Sequence, residues 1–387
     1  MTTVDHRALS QQEVLEAVGA LAPAIAARAA EIEAGRRIPP DLLGELIRTG
    51  VFRILRPPSL GGAGADLPAA LRAYEALAQA DASVGWTVMI GSASWCDLAS
   101  LPRASFDELF ADRPDAITAG VFSPSGSIDA TGDGYRVSGR WGFASGCEHA
   151  DWIYGNCVEA VVDGVPQLRI AVFPPDQVVI EDTWAVSGLR GTGSHHFHVD
   201  AATVPPERTL DPLADPPCID VPIVRIPMPA LAALAIASVA LGCARGALDD
   251  VMSLAGTKVP LLASGRLAAS ATFQHALASA DTELRAARAL IYDAAETAWA
   301  TATAAGTFTL EGRARIRAAA AWAADRAAAV VGAAHRLGGG SVIYAANPLQ
   351  RRFRDINTLT QHFLVRPDTL TTAGAILADQ EVEILVF

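Results

Sequence analysis

Tyr135-Arg-Val-Ser-Gly-Arg-Trp-Gly-Phe-Ala-Ser-Gly-Cys-Glu-His-Ala-Asp-Trp152 reads as a strand that runs into a small-residue turn and then into a second strand. Asp133-Gly134 just before it is a hairpin turn signal. Tyr135, Val137, Gly139, Trp141 and Phe143 then alternate with more polar residues, which predicts one buried face. Ala144-Ser145-Gly146 breaks the rhythm. Two aromatic residues followed by a hydroxyl on a turn nearly free of side chains would let a planar ring lie against backbone N–H groups and the Ser145 Oγ. The plainer reading of the same residues is a hairpin with a core aromatic pair.

Outward from this hairpin the period of two extends from Ile117 to about Thr209, with turn signals at Asp163-Gly164, Pro174-Pro175 and Pro205-Pro206. Strands are expected at Ile117 to Phe122, Tyr135 to Phe143, Trp152 to Val158, Leu168 to Phe173 and His195 to Val199. On the N-terminal side apolar residues recur at three and four from Gln11 to Thr49, giving two helices split at Pro39-Pro40, with Gly50 as the cap of the second. Phe52 to Arg56 reads as a short extended link into a Gly/Pro loop, and helices resume at Pro68, Ser83 and Ser105. Beyond Pro229 long Ala/Arg/Leu segments predict an up-and-down four-helix bundle. The expected organisation is α+β in three parts: an N-terminal helical domain (1–115), a central β-barrel or sandwich domain (116–228) and a C-terminal helical bundle (229–387).

Composition narrows the function. The chain has 387 residues, a 51% hydrophobic content and a formal net charge of -12 without a Lys/Arg-rich run. That balance argues against nucleic acid or an anionic membrane as partner and leaves small molecules. Five scattered cysteines with no Cys-x-x-Cys spacing fit reduced thiols in a cytoplasm. Met1 to Arg7 lacks the order of a secretory signal, and the apolar run from Met228 to Cys243 is short for a membrane span, so it reads as a buried helix. His195, His196 and His198 lie close together, but only Asp200 stands near them at ligand spacing, so no metal is expected. Hydrolase and Rossmann motifs are missing at any strand-to-helix turn.

Three ordered motifs carry a family resemblance. Leu60-Gly-Gly-Ala-Gly64 with Ala80-Asp-Ala-Ser83, then Trp184 to His195 with Val204-Pro205, then Leu337-Gly-Gly-Gly340 with Asn347 to Arg351 and Arg354-Asp355, resemble the acyl-CoA dehydrogenase fold over almost the whole chain. Trp141 to Gly146 and Gly191-Thr-Gly-Ser194 resemble its branch of two-component flavin monooxygenases. In the dehydrogenases a glutamate after the Arg-Asp pair removes a substrate α-proton. Here no carboxylate follows Asp355 until Asp368, and His362 stands in that stretch. A carbon-acid base is missing from its expected place.

The resemblance implies a monooxygenase that takes reduced FAD from a separate NAD(P)H-flavin reductase, with FMN as an alternative, adds O₂ at the flavin C4a as a hydroperoxide and hydroxylates an aromatic or heteroaromatic molecule. It places Ser145 and His362 as catalytic residues. Trp141, Phe143, Ser145, Gly146, Thr192 and Ser194 would hold the flavin ring, and Gly339, Gly340, Arg351 and Arg354 its pyrophosphate, from a neighbouring subunit of a homotetramer. Trp86, Ser94, Trp95 and His362 would line the substrate site. Phenol hydroxylases of the branch carry a histidine before the tryptophan corresponding to Trp95. Ser92-Ala93-Ser94 occupies that position here, which favours a neutral ring such as an indole over a phenolate. N- or S-oxygenation, an acyl-CoA dehydrogenase or oxidase, and a flavin-binding assembly module without catalysis are the alternatives.

Overall fold

The computed structural model describes residues 9–111 and 113–382; Met1 to Arg7 and the extreme C-terminus lie outside the described residues. The N-terminal helices are α1 (Gln11–Ala27), α2 (Ala29–Gly35), α3 (Pro40–Arg48), α4 (Leu67–Ala80), α5 (Ala82–Ala93) and α6 (Arg103–Phe110). The first expected helix is thus two, parted at Arg28, whose guanidinium clamps Glu31 and Asp41. Gly50 does turn the chain after α3, at φ 75°. The segment that follows is a 3-10 turn, not an extended link. Gly50 starts it in the left-handed region, and the carbonyls of Arg53 and Arg56 accept from Ala63 and Gly64, folding the Gly-rich loop back onto it. Arg56 is fully buried there and donates to the carbonyls of Pro114 and Ala116.

The middle of the chain forms one mixed seven-stranded sheet: β1 (Thr118–Thr131), β2 (Gly134–Ala144), β3 (Trp152–Val162), β4 (Val165–Phe173), β5 (Val179–Glu181), β6 (His195–Val204) and β7 (Thr209–Leu210). Its order is β5-β6-β2-β1-β3-β4-β7, with only β1 and β3 parallel. Trp141 anchors its core. The indole stacks on Phe197 at 4.9 Å and donates its N–H to the Asn156 carbonyl at 2.7 Å. Room for it comes from Gly126, Gly139 and Gly155, where an added Cβ would sit within 2.3, 2.6 and 2.5 Å of the indole.

The C-terminal helices are α7 (Met228–Thr257), α8 (Ala271–Thr303), α9 (Leu310–Gly338), α10 (Pro348–Leu359) and α11 (Asp368–Leu377). α7, α8 and α9 form the long walls of the bundle, closed by α10 and α11. The apolar run expected near Met228 belongs to a 30-residue helix, long and apolar enough to cross a membrane, yet 89% of its apolar window is buried inside the protein. Small residues explain that burial. At Gly242 and Gly246 a Cβ would fall 2.1 Å from the Glu75 carbonyl and 2.6 Å from the Gln79 carbonyl, so α7 packs backbone-close on α4. One large apolar cluster therefore runs from α1 to the end of the bundle, and the sheet keeps a smaller core of its own.

Candidate active site

The end of β2 makes the site by a break in register. Trp141 pairs with Phe197 and Ala144 with His195, so β2 carries one more residue than β6 between those pairs, a β-bulge. Phe143 takes φ 66° at the bulge and turns outward, 72% exposed, edge-on to Trp184. Trp141 stays inside with no exposure. The alternation that predicts one buried face therefore holds for Trp141, a core residue, and fails at Phe143, which the bulge turns out of that face. Gly146 follows at φ 71°, its N–H donating to the Thr192 carbonyl.

Ser145 is buried and lies in a row of hydroxyls. Trp86 Nε1–H donates to Ser145 Oγ at 2.9 Å, Ser145 Oγ is 2.7 Å from Ser194 Oγ, and Ser194 Oγ is 2.7 Å from Thr192 Oγ1. Thr192 Oγ1–H ends the row on the Leu189 carbonyl at 2.8 Å. The elements that hold these groups are well tied down. Asp81 caps α5 by accepting from the N–H groups of Ser83 and Val84, which fixes Trp86 one turn later. Leu189, at φ 51°, donates its N–H to the buried Asp355 of α10 at 2.6 Å. Burial, and then the neighbouring Asp81, push the Asp355 carboxyl up to about 7.

His362 follows α10 and meets the Trp86 ring edge-on at 5.6 Å. Its Nδ1 accepts from the Leu364 N–H at 3.3 Å, so the neutral ring carries its proton on Nε2. Burial, reinforced by Arg317, pulls its pKa down to about 4. The sequence alone places imidazole titration near neutral pH; packed here, His362 is uncharged throughout that range.

The structure thus brings Ser145, Thr192, Ser194, Gly146, Phe143, Trp86 and His362 into one region. It puts others elsewhere. Trp95 is fully buried against Phe106 in the N-terminal core and offers no face to a substrate. Ser94 bonds the Ile90 carbonyl and Thr118 Oγ1, tying α5 to β1. Arg354 is spent on Glu33, the Ser187 carbonyl and Gln350 rather than on Asp355 or an open phosphate site. Arg351 lies 3.9 Å from Asp81. Gly339 ends α9 at φ 58°, and a Cβ on Gly340 would meet nothing within 4 Å. Two contributions escaped the sequence reading, the N–H of Trp86 and the hydroxyl of Thr87. Trp86 acts through its N–H rather than its face, and Thr87 Oγ1 is buried without a hydrogen-bond partner beside Gly146. Among the described residues no cluster of His, Cys, Asp and Glu is placed to hold a metal ion. His195 instead accepts two backbone N–H groups at Nδ1, and His198 pairs with Glu181.

Comparison with known proteins agrees with this architecture. The acyl-CoA dehydrogenase N-terminal domain matches residues 9–100, and the acyl-CoA dehydrogenase C-terminal domain matches residues 234–367. Indole-3-acetate monooxygenase of Pseudomonas putida is 32% identical over 349 residues, 90% of this chain and 89% of that one. The FADH(2)-dependent resorcinol hydroxylase oxygenase component of a Rhizobium species is 30% identical, with 92% and 91% covered. Among solved structures, XiaF from Streptomyces, in complex with FADH2 and glycerol, superimposes with a TM-score of 0.89 at 26% identity, covering 97% of both chains. The 3-HSA hydroxylase of Rhodococcus sp. RHA1 gives 0.88 at 27% identity, with 96% of this chain and 98% of that one covered. With its helix–sheet–bundle order, its Ser145 turn and relatives of this identity along nearly its full length, the chain belongs to the flavin-dependent monooxygenases of the acyl-CoA dehydrogenase fold.

Proposed function

We propose that this chain is the oxygenase component of a two-component system that receives reduced FAD from a separate NAD(P)H-flavin reductase and hydroxylates a neutral aromatic heterocycle of the indole type. The observation that carries the reading is the buried row of hydroxyls that ends at Ser145 beside Trp86 and His362. The residues fit a flavin ring. Ser145 Oγ keeps a lone pair uncommitted, Phe143 offers an exposed aromatic face, and Gly146 leaves open the place a Cβ would take beside Thr87. Thr87 Oγ1, buried and unpaired, is a polar group that a ligand's edge would satisfy.

Bound there, reduced flavin supplies the activation of O₂. The chain's own residues do the rest. Ser145 would hold the ring's N5–H and Phe143 would cover the ring, while Trp86 fixes Ser145 through its indole N–H. His362 presents Nε2–H, a donor that stays neutral and so can polarise an oxygen without adding charge. A substrate phenolate would find no protonated histidine in it, which supports a neutral ring; the relatives named for indole-3-acetate point the same way. α10 and the turn after it carry no carboxylate from residue 356 to 367, so an acyl-CoA α-proton would have no carboxylate base there.

The open Gly339-Gly340 surface and exposed Ile343 and Tyr344 support assembly as a homotetramer that brings this edge to a neighbouring subunit's flavin; light scattering with FAD bound tests it. The five free cysteines support a reducing cytoplasm, checked by recovering the activity in the cytosolic fraction of source cells. The deciding experiment feeds indole, a phenol and an amine separately to the protein with a generic reductase, NADH, FAD and ¹⁸O₂. Labelled hydroxyindole is the expected product. Failure to label any of the three, or bleaching of oxidised FAD by an acyl-CoA alone, would overturn the proposal.

A further inference from the structure

We infer that the hydroxyl row is polarised in one direction, so that Ser145 faces a bound flavin as a hydrogen-bond acceptor only, and that Thr192 and Ser194 are positioning residues which thereby select the reduced ring over the oxidised one. This rests on the reading above that a flavin binds at Ser145.

Each hydroxyl has one proton, which fixes the order by counting. The Leu189 carbonyl can only accept, so the proton of Thr192 is committed to it across 2.8 Å. The 2.7 Å contact between Thr192 and Ser194 must then use the proton of Ser194, and the 2.7 Å contact between Ser194 and Ser145 must use the proton of Ser145. Trp86 Nε1–H occupies one Ser145 lone pair. Ser145 has a lone pair left to offer, and no proton.

A dihydroflavin carries a hydrogen on N5, whereas the oxidised ring presents a bare lone pair there. The first meets Ser145 as donor to acceptor; the second meets it lone pair to lone pair. For Ser145 to donate to oxidised N5, Ser194 must reverse as well, and then Thr192, which leaves Thr192 Oγ1 and the Leu189 oxygen opposed at 2.8 Å with no proton between them. The anchor cannot readily turn away. Leu189 has its N–H on Asp355, its carbonyl also accepts from Trp184 Nε1 at 2.9 Å, and its neighbour Gly188 is wedged against the Arg354 carbonyl, 2.1 Å from where a Cβ would stand. One lost hydrogen bond in a buried row is a preference of about tenfold.

Thr192→Val removes the hydroxyl that ties the row to its terminal acceptor while leaving the Leu189 carbonyl with the Trp184 Nε1–H and residue 192 backbone N–H donors. Ser194→Ala frees the Ser145 proton directly. Oxidised and dithionite-reduced FAD are titrated anaerobically into wild type and each variant, and the two Kd values compared. In the wild type reduced FAD should bind at least about tenfold tighter through this contact. In both variants the ratio should narrow several-fold because oxidised FAD tightens, and the midpoint potential of the bound flavin should fall by about 30 mV per tenfold. Thr192→Ser, which keeps the hydroxyl, should restore the wild-type ratio. If the variants are folded by circular dichroism and both affinities fall together with the ratio unchanged, the residues are packing only and the inference is overturned. Failure of wild type to bind reduced FAD at all would instead overturn the flavin reading, and this inference with it.

Discussion

Replacing Ser145 with alanine removes one oxygen from a fully engaged row, and the structure says what is left behind. Trp86 Nε1–H loses its acceptor in a position with little access to water, and Ser194 loses the proton it accepts. A buried donor left without a partner costs about 1–3 kcal/mol, so the folded protein should lose stability in that range, read as a fall in the urea midpoint. The ring side of the same oxygen would hold the flavin N5–H, a bond of about 0.5–1.5 kcal/mol net. If about 1.4 kcal/mol of that stands against loss of H₂O₂ from the site, loss should speed about tenfold. Coupling is the assay: hydroxylated product and H₂O₂ are measured against NADH consumed, with a reductase in excess. The expected result is H₂O₂ replacing product while FAD still binds. Unchanged coupling together with the full loss of stability would show that Ser145 holds the turn and nothing else, and would place the flavin seat elsewhere.

His362→Gln should slow hydroxylation of a bound substrate while leaving reduced FAD affinity unchanged, and the wild-type rate should show no ionisation near pH 6.5 from this residue, because its pKa is held at about 4. The same shift has a sign in stability: the folded chain binds His362's proton more weakly than the unfolded chain does, so stability is lost as pH falls from about 6.5 towards 4, by no more than about 3 kcal/mol. Thermal melts of wild type and His362→Gln across that range check it. Asp355 acts oppositely. Its carboxyl is raised to about 7, so the charged form burdens the fold and stability falls as pH rises from about 4 to 7; Asp355→Asn should flatten that slope while keeping an oxygen for Leu189 N–H. Trp141→Phe should cost about 1–3 kcal/mol of stability, from an unfilled core and an unpaired Asn156 carbonyl, with coupling preserved in the protein that remains folded.

The three-part order was legible because the hydrophobic period changes from near 3.6 to 2 and back, and that change survives errors at element ends. The hairpin at Asp133-Gly134 was legible from turn chemistry alone, and the register of β1 on β2 follows it. Phe143 was misjudged where Trp141 was not, because alternation assumes an unbroken strand and a bulge carries no composition of its own. Trp86 and Trp95 could not be ranked from sequence, since α5, which carries Trp86, is buried on almost all sides and the 3-10 turn that carries Trp95 follows it directly. The hydroxyl row was out of reach for another reason. It joins partners 59 and 49 residues apart, and such pairings depend on how α5, β2 and the turn before β6 converge rather than on any local signal.

Phe143 gives the site a consequence for engineering. A bulky residue at φ 66° sits where glycine would be at ease, and with most of its ring in water it recovers little from burial. Any effort to raise the heat tolerance of this protein by choosing the residue each backbone position prefers would select glycine at 143, gaining up to about 1 kcal/mol. The hardier protein would have lost the exposed aromatic surface proposed above to cover the flavin, and on that proposal a screen that scores only melting temperature would select steadily against the activity it means to improve.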